Sequence, residues 1–125
     1  MIHGIGTDIV EISRIKDAAE KWGDRFLKRV FTENEIAYCY KKKDPYPHLA
    51  VRFAAKEAVI KASSSLRSRR LEFSAIEILN EPSGKPFVNI NFRDEIFKSE
   101  FSIHLTLTHE RSYAIATVVL ERKNS

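Results

Sequence analysis

The chain of 125 residues has a single cysteine, Cys39. That excludes an intrachain disulfide and a zinc site built from cysteines. No apolar run approaches the roughly 20 residues a membrane helix needs. The opening MIHGIGTDIVEI has no basic n-region and no cleavage site, so no secretory signal is expected. These absences together favour the cytoplasm. No internal repeat, low-complexity tract or linker interrupts the chain, and its length suits a single domain, 1–125, around one core. The dinucleotide fingerprint is missing too: Gly4 and Gly6 have no third glycine and no helix opening after them.

What is present is ordinary for a globular protein, 43% hydrophobic and 30% charged. The charge is uneven. Residues 1–70 hold 15 Lys and Arg against 9 Asp and Glu, whereas residues 71–125 hold 6 against 8. A basic amino-terminal half suggests an acidic partner: nucleic acid, anionic lipid, a polyphosphate or an acidic protein.

Residues 2–12 read as a strand and 13–22 as a helix that Gly23 ends. Thr32-Glu33-Asn34-Glu35 is a capping box that opens a helix stopping before Pro45 and Pro47. A helix over 48–64 follows. Strands are expected at 73–79 and 86–92, joined by a turn at 81–85. A short helix at 93–99 precedes strands at 101–108 and 112–121, with His109-Glu110-Arg111 as their hairpin turn. Helices early and strands late predict an α+β fold, an antiparallel sheet with a long central helix.

The central helix contains RFAAKEAVIKA, Arg52 to Ala62. On a helical wheel Arg52, Lys56 and Ser63 share one side, which predicts a solvent face there. Glu57 and Lys61 fall instead among Phe53, Ala54, Ala58 and Ile60. Three readings are open: a surface i,i+4 ion pair, a buried pair, or a site that uses the carboxylate. The first strand raises a similar question. Its even positions run Ile2, Gly4, Gly6, Asp8, Val10, Ile12, and two glycines beside an aspartate suit a ligand or another backbone coming close. Asp8 and Glu57 could together hold a hard cation such as Mg²⁺, which takes one or two carboxylates and completes its shell with water and substrate phosphates. Lys61, one turn beyond Glu57, would then face a phosphate, and this set suits phosphoryl-type transfer.

Other candidates are weaker. His109 follows Thr108 at a strand end, where it could bind phosphate or relay a proton, or simply face solvent. His3, His48 and His104 lack metal-ligand spacing. Ser63-Ser64-Ser65 with Arg67, Arg69 and Arg70 could bind phosphate or form a solvated loop. Phe26, Phe31, Tyr38 and Tyr40 read as core or interface aromatics.

GIGTDIVEI, RFAAKEAVIKA and THERSYAIATVVLE, in that order, are together similar to the holo-[acyl carrier protein] synthases, the small bacterial 4′-phosphopantetheinyl transferases. The resemblance covers nearly the whole chain. It implies transfer of the 4′-phosphopantetheine arm of coenzyme A to a serine of an acidic apo-acyl carrier protein, for fatty acid biosynthesis, leaving adenosine 3′,5′-bisphosphate. It implies that Asp8 and Glu57 bind Mg²⁺ and that Lys61 contacts the phosphate and steadies the leaving group. Arg52, Ser64, Lys85, Pro86, Thr108 and His109 would hold coenzyme A. Glu57 or a metal-bound water would be the base. Arg14, Lys21, Arg25 and Arg29 match, or conservatively replace, basic positions that dock the carrier. It also implies a homotrimer whose active sites lie between subunits, with Asp8 and Glu57 from one chain and Thr108 and His109 from its neighbour. One departure stands out: ASSSLRSRRLEF has no glycine where the family usually has a glycine-bearing loop. Serine hydroxyls, with Arg69 or Arg70 at the 3′-phosphate, would then contact coenzyme A. The rival reading is a small basic nucleic-acid-binding domain, supported by the Lys41-Lys42-Lys43 run but by no helix-turn-helix or RNP pattern.

Overall fold

In the structure, a computed structural model that describes residues 1–66, 71–90 and 99–123, the first strand pairs with the last. Strand β1 (Ile2–Glu11) lies antiparallel to β5 (Tyr113–Arg122), which also pairs with β4 (Phe101–His109), giving a sheet ordered β1-β5-β4. Between β1 and β4 the chain forms α1 (Ile12–Trp22), α2 (Asp24–Val30), α3 (Glu33–Tyr40), α4 (Pro45–Ser63) and a separate hairpin of β2 (Ile76–Asn80) and β3 (Pro86–Ile90). No helix among the described residues is long and apolar enough to cross a membrane.

The register sorts the large sheet into two faces, because side chains alternate along each strand. Gly6 lies opposite Val118, Asp8 opposite Ala116 and Val10 opposite Ala114. This face is covered by α4. Its alanines Ala54, Ala55, Ala58 and Ala62 are buried, as are Ala114, Ala116, Val118 and Leu120 of the sheet. Small residues on both sides bring helix and sheet unusually close.

The two glycines of β1 answer to that contact. A Cβ built on Gly6 would lie 2.0 Å from the carbonyl oxygen of Ala58, and one on Gly4 2.0 Å from that of Ala62. The close neighbour is therefore another backbone, not a ligand. The spacing is matched. Two strand residues rise about 6.6 Å, and four helix residues about 6.0 Å. Glycines two apart on the strand thus meet alanines four apart on the helix.

Local signals were largely as expected. Glu35 N donates to Thr32 Oγ1 at 3.3 Å and Thr32 N to Glu35 Oε1 at 2.8 Å, closing the capping box. Gly23 adopts φ 55°, and its N–H donates to Ala19 O, ending α1. Helix α2 is not among the expected elements, and several boundaries differ, three of them for a clear reason. Helix α4 begins at Pro45, not 48, because Pro suits the first helical turn and Asp44 Oδ1 accepts from Tyr46 N at 3.1 Å. Phe73–Ala75 form a 3₁₀ turn, so β2 starts later than expected. Turn residues Ser112 and Tyr113 donate backbone N–H groups to Glu110 Oε1, so His109 ends β4 and does not enter the turn. The expected helix at 93–99 falls almost wholly outside the described residues.

A valine at Gly6 would collide with helix backbone, which cannot move aside as a side chain can. Gly6→Val is expected to destabilise the chain by about 3 kcal/mol or more, read as a lower midpoint of urea unfolding. An unchanged midpoint would contradict this packing.

Candidate active site

Just past the glycine seam, Asp8 emerges half-buried beside α4. Lys61 Nζ donates to Asp8 Oδ1 at 3.0 Å and to Thr7 O at 2.9 Å, bridging helix and strand. Glu57, one turn earlier on α4, lines the same cleft as Asp8, a space of about 330 Å³ shared with Val10, Arg14, Phe26 and Phe53. Two carboxylates therefore face one cleft, with an ammonium tied to one of them. Among the described residues, no three His, Cys, Asp or Glu side chains gather into a denser metal cluster. Ser64 stands exposed at the end of α4, its hydroxyl donating to Lys61 O at 3.1 Å.

The expected solvent face of α4 is overturned. Arg52, Lys56 and Ser63 are all buried, whereas Lys61 is exposed. Lys56 Nζ meets Glu35 Oε1 at 2.7 Å with both side chains fully enclosed. Ser63 turns its hydroxyl back to Val59 O. The helix is packed on this side by α3 and β2, so its polar stripe faces partners supplied by distant segments.

A second group gathers around the amino-terminal half of α4. Arg52 Nη2 donates to Asn80 Oδ1 at 2.5 Å, and Asn80 Nδ2 donates to Gly84 O, next to Lys85 and Pro86. The Arg52 guanidinium stacks on the Tyr38 ring, and Lys42 Nζ also lies over that ring, 4.8 Å from its centroid. His48 packs edge-on to both Tyr38 and His109. Arg52 Nε is buried with no hydrogen-bond partner among the described residues. Four basic side chains, Arg52, Lys42, His48 and His109, thus converge here. Thr108 is placed apart, since its cross-strand neighbour is Ile115, on the sheet face away from α4. His48, which packs on His109, and Glu57 are separated by about two and a half turns of α4, roughly 14 Å. One chain therefore does not bring His109 to Asp8 and Glu57.

The basic residues Arg14, Lys21, Arg25 and Arg29 are all exposed. Arg25 and Arg29 line a second cleft of about 320 Å³ with Trp22 and Phe26. Phe26 borders both clefts while packing against the core, in keeping with the core or interface aromatic expected from the sequence. Trp22, 51% exposed and capped by Lys21 Nζ at 5.0 Å, went unnoticed in the sequence. Its signal was a lone tryptophan between Lys21 and the helix-ending Gly23 of an amphipathic helix. Arg67, Arg69 and Arg70 lie outside the described residues.

Comparison with known proteins identifies the family. The 4′-phosphopantetheinyl transferase superfamily profile matches residues 4–118, and the chain belongs to that family. It is 46% identical over 121 residues to a holo-[acyl-carrier-protein] synthase of Thermodesulfovibrio yellowstonii, covering 96% of this chain and 99% of that one. It is 49% identical over 119 residues to one from Dehalococcoides mccartyi, covering 93% and 96%. Among solved structures, the holo-(acyl-carrier-protein) synthase of Bacillus anthracis in complex with CoA (3′,5′-ADP) aligns with TM-score 0.77 at 35% identity, over 99% of both chains. The Neisseria meningitidis enzyme aligns with TM-score 0.81 at 32% identity, over 97% of this chain and 99% of that one. The nucleic-acid-binding alternative finds no support in these likenesses.

Burial holds the His48 imidazole below its ordinary value of 6.5, with Arg52, His109 and Lys42 adding repulsion and Asp44 opposing them. A base with a depressed pKa takes up fewer protons folded than unfolded. Its contribution to stability is full above pH 6.5 and is lost as pH falls toward the folded pKa. The urea midpoint should therefore drop between pH 7.5 and 5.5, and drop less in His48→Phe. An equal drop in both proteins would contradict the placement of His48.

Proposed function

We propose that the chain transfers the 4′-phosphopantetheine arm of coenzyme A to a serine hydroxyl of an acidic apo-acyl carrier protein, in support of fatty acid biosynthesis. The observation that carries this reading is the shared cleft of Asp8 and Glu57 with Lys61 anchored on Asp8. The holo-[acyl-carrier-protein] synthases it resembles along nearly its whole length support it.

In the reaction the serine oxygen bonds to the pantetheine-bearing phosphorus. The bridging P–O bond breaks, and adenosine 3′,5′-bisphosphate leaves with the electron pair. Such transfers are driven mainly by positioning and charge neutralisation. Asp8 and Glu57 fit Mg²⁺, because hard oxygen donors of this number leave room for substrate phosphates and water. When bound, the ion would neutralise the pyrophosphate. Lys61, held beside the same carboxylate, supplies a second positive charge for the leaving bisphosphate. The serine proton goes to Glu57 or to water in the cleft. Arg52 and His109, with Lys85 and Pro86 close to Asn80, would hold the adenosine 3′-phosphate end of coenzyme A, and an anion there relieves the repulsion among His48, His109 and Arg52. Ser64 and Thr108 would add hydroxyl contacts.

The carrier is read as docking on Arg14, Lys21, Arg25 and Arg29, whose charge would steer an acidic partner and fade with salt. The Trp22–Phe26 cleft offers it an apolar seat.

We also propose a homotrimer with active sites between subunits. Two features support it. The sheet face away from α4 is uncovered, with Ile5 and Ile9 63% and 58% exposed and Ile115 beside them. The His48–His109 end of the second group also sits roughly 14 Å from Glu57 along α4, so within one chain His109 stands off from the two carboxylates. The free thiol of Cys39 suits the reducing cytoplasm, the location we propose. Burial raises that thiol to about 11, so it stays protonated.

Intact-mass spectrometry of apo-carrier incubated with this protein, coenzyme A and Mg²⁺ should show the gain of one phosphopantetheine. Asp8→Ala and an EDTA-treated sample should be slower by about 10²-fold or more. No gain with several carriers, from protein that is folded, would overturn the reading.

A further inference from the structure

A fully buried ion pair lies behind the cleft, not in it. Lys56 directly precedes Glu57 in sequence but points the other way, into the interior. Its ammonium has three protons and three acceptors: Glu35 Oε1 at 2.7 Å, Val30 O at 2.7 Å and Phe73 O at 3.0 Å. Glu35 is as fully used, with Oε1 accepting from Thr32 N and Oε2 from Ile78 N, each at 2.8 Å. The pair thus ties α4 to the end of α2, the start of α3, the 3₁₀ turn at Phe73 and strand β2.

Two of these ties lead to the proposed site. Val30 is the last residue of α2, the helix that carries Arg25, Phe26 and Arg29. A cation there also meets carbonyls that the helix end leaves without internal partners. Phe73, whose carbonyl Lys56 holds, packs its ring 5.4 Å from Phe53, and Phe53 lines the cleft of Asp8 and Glu57. Burying an ion pair is costly, and apolar residues of equal volume often stabilise a core as well or better. What the pair adds is direction, since five hydrogen bonds fix how the segments sit against one another.

We propose that the Lys56–Glu35 pair is a positioning device that sets the carrier-docking helix α2 against the Glu57-bearing helix α4. This rests on the transferase reading above. Lys56 and Glu35 touch neither substrate. Their loss would leave the coenzyme A half of the site on α4 in place and displace the surface that receives the carrier.

The test compares the full-length wild type with Lys56→Met/Glu35→Gln, which removes both charges and keeps the volume. The expected result is a folded protein of lower melting temperature, because Val30 O and Phe73 O lose their donor, with a carrier KM raised tenfold or more and a coenzyme A KM within twofold. Both KM values within twofold of wild type would overturn the proposal. So would an equal rise in both, which marks a general loosening. If the double variant fails to fold, Glu35→Asp, which keeps the buried charge paired but shortens its reach by one methylene, is read by the same criteria. Absence of transfer by the wild type would overturn the transferase reading itself, whereas the KM comparison bears on this inference alone.

Discussion

The structure depends on how closely the backbone of α4 approaches the backbone of β1. Carbonyls of Ala58 and Ala62 occupy the space that side chains at Gly6 and Gly4 would need. That approach places Asp8, the next inward residue of the strand, against the flank of the helix, where Lys61 reaches it. Packing energy alone would be served by larger residues on both surfaces. Glycine and alanine give up some buried area, and in exchange a carboxylate on a strand and another on a helix reach the same cleft. Both elements are rigid, which suits chemistry based on positioning.

Helix α4 is surrounded, and that explains where a reading from the wheel went astray. An amphipathic pattern predicts a solvent face only when the helix has solvent on one side. Here Glu35, Val30, Phe73, Asn80 and Tyr38 come from other segments to meet Lys56 and Arg52. The sequence around Lys56 contains no sign of them. The capping box was legible because its partners are three residues apart. Its second role, as the acceptor for a buried lysine, was not, because Lys56 lies in a different helix.

The same distinction separates the legible part of the site from the rest. Asp8 and Glu57 drew attention because each is a charge set among apolar or glycine residues, a local anomaly. The cause of the glycines was open in the sequence, and the structure assigns it to the helix backbone. Trp22 and Phe26 are not anomalous in sequence, since an aromatic on an amphipathic helix usually enters the core. The exposure of Trp22 and the half-burial of Phe26 follow from α1 and α2 meeting at Gly23, which leaves a cleft between them. Nor could spacing reveal that Arg52 and His109 gather near one end of α4 and Asp8, Glu57 and Lys61 near the other. That separation is a property of the register between β1, β5 and β4 and of where α4 begins.

The central claim is that these two groups form one active site only across a boundary between chains. Co-expression of Asp8→Ala and His109→Ala chains in equal amounts, with transfer to apo-carrier measured on the purified mixed assemblies, tests it directly. Each parent alone should be nearly inactive. The mixture should recover about a quarter of the wild-type rate, the share of interfaces in a random assembly that join an intact Asp8 to an intact His109. A mixture as inactive as its parents would contradict the account.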